Sequence, residues 1–131
     1  MRLRYALITD YANVTGDGKL NLIGVSDRIF AYQFPAVHRE LYVINSIETE
    51  NEDDGTVQPI HVQVIDPDGR TLSEIKGEVQ IEGPKQIFNQ IHCFRDISFV
   101  APGSYQINIF VNGDKASEMT LELMQITAPA P

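Results

Sequence analysis

The 131 residues predict an all-β protein, an antiparallel β-sandwich of immunoglobulin-like or related Greek-key type with about eight strands. Three observations lead there. Apolar and polar residues alternate with a period of two, while helical periodicity is nearly absent. Turn residues break the alternation at intervals of about ten positions, the rhythm of a sandwich or barrel. The connections are short, and two of them, Asp66-Pro67-Asp68-Gly69-Arg70 and Asn112-Gly113-Asp114-Lys115, carry tight-turn chemistry.

Along the chain, Leu3 to Ala12 sets Leu3, Tyr5, Leu7, Thr9 and Tyr11 on one face. A glycine-rich stretch follows, and Gly16 and Gly18 supply the positive φ of a hairpin. Leu20 to Ala31 then reads as one strand, apolar on both faces and so expected to be covered on each side. Gly24 inside it marks a bulge or a close approach of another backbone. Leu41 to Thr49 aligns Leu41, Val43 and Ile47, and Val57 to Ile65 aligns Ile60, Val62 and Val64 against His61 and Gln63. Thr71 to Ile81 returns from the first tight turn, and Phe88 to Val100 is long and bent. Tyr105 to Val111 alternates most cleanly, and Met119, Leu121 and Leu123 lie on the last strand. Tyr105, just after Pro102-Gly103, is placed to bond its hydroxyl back to the chain across a corner, with an ordinary core tyrosine as the alternative. One domain over 1–126 accounts for the pattern, and 127–131 is a flexible, proline-rich tail.

Composition narrows the function classes. Ten basic against eighteen acidic residues give a formal charge of −8, which repels a nucleic-acid backbone and anionic lipid. The N-terminal stretch lacks the apolar run of a signal peptide, and nothing reaches the ~20 apolar residues of a membrane span, so a bacterial-type cytoplasm is expected.

Catalytic and metal chemistry find little to build on. No nucleophile elbow surrounds any serine, no Cys-His spacing suggests a thiol enzyme, and no cofactor or metal is expected. His92 and Cys93 are adjacent and point to opposite faces of a strand. Cys93 shares parity with Ile91, Ile97 and Phe99, as a buried thiol would, and His38 follows Phe34-Pro35-Ala36-Val37 in a loop. The acidic turns (Asp10, Asp17, Asp27, Asp66, Asp68 and the run 48–54) admit a calcium-dependent ligand or membrane binder if they converge at one end of the sandwich. Turn chemistry is the stronger explanation of Asp66 and Asp68.

Two sets of residues remain. Asp27 and Arg28 interrupt the most apolar strand; either Asp27 is buried against Arg2, Arg4 or Lys19, or the strand has left the core and both charges are solvated. Tyr42, Ile44, Phe88, Phe94 and Phe110, with Met124, take the parity opposite to the core of their strands. They either cover the second face of a sheet against a loop or form a homo-oligomer interface. The expected function is therefore a non-catalytic binding or assembly module acting through end loops, a sheet edge or an apolar outer face, with a protein partner or itself.

The stretches TDYANVTGDGKLNLIGVSDRIFAYQFPAVH (9–38), VIDPDGR (64–70) and PGSYQINIFVNG (102–113) resemble a family of small, uncharacterised bacterial all-β domains. The resemblance implies a β-sandwich and no established activity. It marks Asp10, Gly16, Lys19, Asn21, Gly24, Asp27, Arg28, Pro35 and His38 as positions that matter, for folding or for binding.

Overall fold

The computed structural model describes residues 1–127. Within them lie β1 (Arg2–Val14), β2 (Leu20–Val25), β3 (Arg28–Ala31), β4 (Ala36–Glu48), β5 (Val57–Ile65), β6 (Thr71–Gln80), β7 (Ile87–Phe99), β8 (Gly103–Val111) and β9 (Asp114–Gln125), with a 3-10 turn at Asn51–Asp53. Two sheets form, in the orders β2-β1-β4-β7 and β3-β9-β8-β5-β6. The result is an immunoglobulin-like sandwich. β2 and β3 lie along one flank, and β7 and β6 along the other.

The described residues form nine strands, in line with the expected count of about eight. The additional one arises because 20–31 is not continuous. The Ser26 hydroxyl accepts the Arg28 N–H and donates to the Arg28 carbonyl, both at 3.1 Å. This local turn lets the chain leave one sheet for the other. β2 pairs antiparallel with β1, and β3 runs parallel to β9. β4 also begins at Ala36, so His38 sits on a strand opposite Ile97 and not in a loop.

The core follows the alternation of the inner faces. Leu41, Val43 and Ile47 of β4 meet Ile60, Val62 and Val64 of β5, Tyr105, Ile107 and Ile109 of β8, and Leu121 and Leu123 of β9. The Tyr105 hydroxyl donates to the Ala101 carbonyl at 2.7 Å, and the ring stacks edge-on against Phe99. The corner bond satisfies a hydroxyl that would otherwise be buried without a partner.

Strict alternation fails along a seam across the first sheet. On β1, Ala6 and Ile8 face the main core, yet Ala12, of the same parity, is buried in a second cluster. On β7, Ile91 and Cys93 join that second cluster while Phe94, Ile97 and Phe99 join the main core. Asp96 has a left-handed φ of 51°, and Gly24, across the seam, one of 71°. A left-handed residue turns the following side chains to the opposite face, so parity counted from one end misplaces everything beyond it.

The seam corrects several expectations. Phe94 is core, not outward, and Cys93 is half-buried on the outer face. Phe88 is partly buried against the main core. Tyr42 and Ile44 do lie on the outer face of their sheet, but Tyr5, Leu20, Leu22 and Ile91 pack against them, and Ile44 is 0% exposed. The cover over this pair comes from neighbouring strands of the same sheet, not from a loop. Phe110 is half-buried on the outside of the other sheet, stacked on His61. Of the expected tail, Thr127 is the last residue described and 128–131 lie outside the described residues.

Candidate docking face on the β2–β3 flank

The Thr15–Lys19 loop is a hairpin turn. The Thr15 N–H donates to the Lys19 carbonyl at 2.8 Å and the Gly18 N–H to the Thr15 carbonyl at 3.0 Å, with Gly18 at φ +85°. Gly16 has no positive φ, so only Gly18 meets that expectation. The Thr15 hydroxyl donates to the Asp17 carboxylate and accepts the Lys19 N–H, which holds Asp17 below the usual carboxylate range. Lys19 pairs with Asp17 at 3.4 Å, and Asn21 is exposed opposite Asn13. At Gly24, an added Cβ would stand 2.3 Å from the Asp10 Oδ2, so Asp10 and Gly24 form one structural unit of the hairpin.

Asp27 and Arg28 are solvated. Their side chains are 72% and 53% exposed and are joined to each other at 3.2 Å. The basic residues considered as partners are engaged elsewhere: Arg2 with Glu48, Arg4 with the Ser46 hydroxyl, Lys19 with Asp17. What holds the crossover is backbone, because the Glu122 N–H donates to the Asp27 carbonyl at 2.8 Å.

The acidic loops do not converge. The strand registers place the hairpin 15–19 and the turn 66–70 at one end of the sandwich and 49–56 at the other. Asp66 Oδ1 accepts the N–H groups of Asp68 and Arg70, both at 2.9 Å, as turn chemistry requires. Asp53 Oδ2 accepts the Glu50 N–H at 2.7 Å and pairs with the Met1 amino group at 3.3 Å. Among the described residues no three His, Cys, Asp or Glu side chains group as a metal site would require. His61 bonds Glu74 at 2.8 Å, and His92 bonds the Asn45 Oδ1 at 2.7 Å.

The residues that sequence reasoning missed lie where it found an apolar strand. Ile29 packs against the main core and Leu20 and Leu22 against Tyr42 and Ile44 on the outer face, but Ile23, Val25 and Phe30 are 62%, 56% and 52% exposed. Phe30 pairs directly with Met124 of β9, which is also exposed, and Tyr11 pairs with Ile23. Apolar on both faces therefore did not mean covered on both. Beside them a groove of about 560 Å³ is lined by Ala6, Ile8, Val25, Asp27 and Met119. Its back wall is formed by stretches of β1 and β9 that β2 and β3 do not reach. The signal was present in the sequence: a Ser-Asp-Arg break flanked by Ile23, Val25 and Phe30 is where a strand changes sheets.

Residues 4–124 match a family of unknown function, DUF6941. The chain belongs to this family. Membership in DUF6941 agrees with the resemblance drawn from residues 9–38, 64–70 and 102–113. No curated protein matches the chain. Among the solved structures similar to it are two from Pseudomonas species. One is an immunoglobulin-like protein from Pseudomonas aeruginosa, 11% identical, covering 93% of this chain and 94% of that one with a TM-score of 0.47. The other is the alkylpurine DNA glycosylase AlkC of Pseudomonas fluorescens, bound to DNA containing an abasic site analog; it is 14% identical, covering 91% of this chain and 30% of that one, at 0.43.

Proposed function

We propose that this DUF6941 domain is a non-catalytic protein-binding module of the cytoplasm and that its docking face is the β2–β3 flank. The observation that supports this reading most is the run of exposed apolar side chains, Ile23, Val25 and Phe30, along two edge strands. Edge strands normally carry charges, bulges or cover, because their free N–H and C=O groups pair readily with other chains. Here the only charged residues between Leu20 and Tyr32 are Asp27 and Arg28, which neutralise each other. Exposed apolar side chains beside an open backbone edge are the surface that strand addition uses.

Co-purification from the native cell tests it. The wild type and a Lys76→Glu variant of the opposite flank are expected to retain the same bound protein, and Val25→Lys to lose it. Retention by Val25→Lys, or loss only with Lys76→Glu, would contradict the reading.

A further inference from the structure

We infer that the occupant of the β2–β3 flank is a second copy of this chain, joined about a two-fold axis that runs beside Ile23 and Val25. The inference rests on the docking-face reading above and names its partner. A two-fold contact joins a surface to itself and brings identical edge strands together antiparallel. β2 already accepts an antiparallel neighbour in β1, and the sheet it ends is antiparallel throughout, so a second β2 extends it without a change of pattern.

Charge favours the same occupant. The chain carries −8, which opposes self-association through most of its surface. The strip from Leu20 to Tyr32 is neutral, so two copies can meet there without setting like charges face to face. Asp27 and Arg28 are adjacent, largely exposed and bonded to each other. Pairing Ile23 of one copy with Val25 of the other sets residues 27 and 28 opposite 21 and 20. The Asp27–Arg28 pair of one copy then comes beside the Lys19 end of the other's hairpin, where the two ion pairs can exchange partners. Lys19 and Asp17, at the hairpin tip, are likewise exposed and mutually paired. The left-handed Gly24 limits the length of backbone ladder that β2 can offer, so apolar side chains carry most of the contact.

Sedimentation equilibrium of the full chain tests this together with a cysteine cross-link. The expected wild-type species is twice the 14.7 kDa chain. Val25→Lys, which sets two lysines against each other in every dimer, is expected to weaken association about 100-fold while circular dichroism keeps its β spectrum. In a Cys93→Ser background, Ile23→Cys is expected to form a disulfide-linked dimer on mild oxidation, since one site meets itself only beside a two-fold, and Lys76→Cys is not. If Val25→Lys fails to fold, the cross-link alone decides. A monomer up to millimolar concentration, a dimer unchanged in folded Val25→Lys, or equal cross-linking from Ile23→Cys and Lys76→Cys overturns the inference. A monomeric wild type whose heterologous partner is lost with Val25→Lys would overturn the inference and leave the docking face standing.

Discussion

The two flanks of the sandwich meet the same problem with opposite chemistry. On the β6–β7 flank charges are more frequent: Glu74, Lys76 and Glu78 punctuate β6, and Arg95 and the left-handed Asp96 lie on β7, whose one strongly exposed apolar residue is Ile87 at its start. The groove on the nearby β4–β7 face, about 420 Å³, is lined by Arg39, Glu40, Arg95 and Asp96. Arg95 pairs with Glu40 at 3.1 Å, and Tyr42, whose phenol donates to Glu40, is pushed up to about 12 by burial and then by that carboxylate. On the β2–β3 flank the left-handed Gly24 and the Asp27–Arg28 pair interrupt the edge, and Ile23, Val25 and Phe30 are exposed around them. This difference is the observation behind the proposed docking face.

The comparison rests first on the kink that shapes the open flank. Gly24→Ala places a methyl 2.3 Å from Asp10 Oδ2 on a backbone at φ +71°. The exposed Asp10 carboxylate can swing aside, so the left-handed φ carries most of the expected cost, about 1–3 kcal/mol, read as a fall in the urea midpoint. A change within about 0.5 kcal/mol would show that the hairpin does not depend on the left-handed Gly24.

The guarded flank has its own anchor, which faces inward. Asn45, fully buried on β4, donates through Nδ2 to the Gln90 Oε1 at 2.9 Å and accepts from His92 Nε2 at 2.7 Å, so His92 carries its proton on Nε2. Asn45→Ala leaves both β7 partners unmatched inside the sandwich and is expected to cost about 2 kcal/mol. Hydrogen exchange should quicken on β7 before it does on β1. Uniform quickening would argue against a local anchor.

A smaller effect is expected with pH. Burial holds His92 below its ordinary 6.5. As pH falls through 6.5 the unfolded chain takes up the proton first, so stability declines from there down to the depressed folded value. Glu48, held low by Arg2 and Lys85, and Asp53, held low by the Glu50 N–H, lose their contributions only in the more acidic carboxylate range. A urea midpoint that drops between about pH 7 and pH 5.5 in the wild type, and stays flatter in His92→Gln, is the expected result. Equal slopes would remove His92 from the account.

The sequence made the inner faces legible wherever alternation ran unbroken. Leu41-Val43-Ile47, Ile60-Val62-Val64 and Tyr105-Ile107-Ile109 lie together in the core, and the Tyr105 corner bond forms. It misled where one residue reversed the alternation. Asp96 is a charged residue on a strand, and nothing in its neighbours announces a left-handed φ, so Phe94 and Cys93 were given each other's faces. The candidate face was obscured for a different reason. An apolar run such as LNLIGV shows that a strand is apolar on both sides, and only topology reveals that the second side is an edge. Asp27 and Arg28 were singled out by their place in that run, and they mark the crossover that creates the edge.

In-cell photo-cross-linking compares the two flanks in the native setting. A benzophenone amino acid is placed at Phe30 in one strain and at Lys76 in another, and protein adducts are compared at equal expression. A discrete adduct from Phe30 and little from Lys76 are expected. Equal adducts from both positions, or adducts from Lys76 alone, would contradict it.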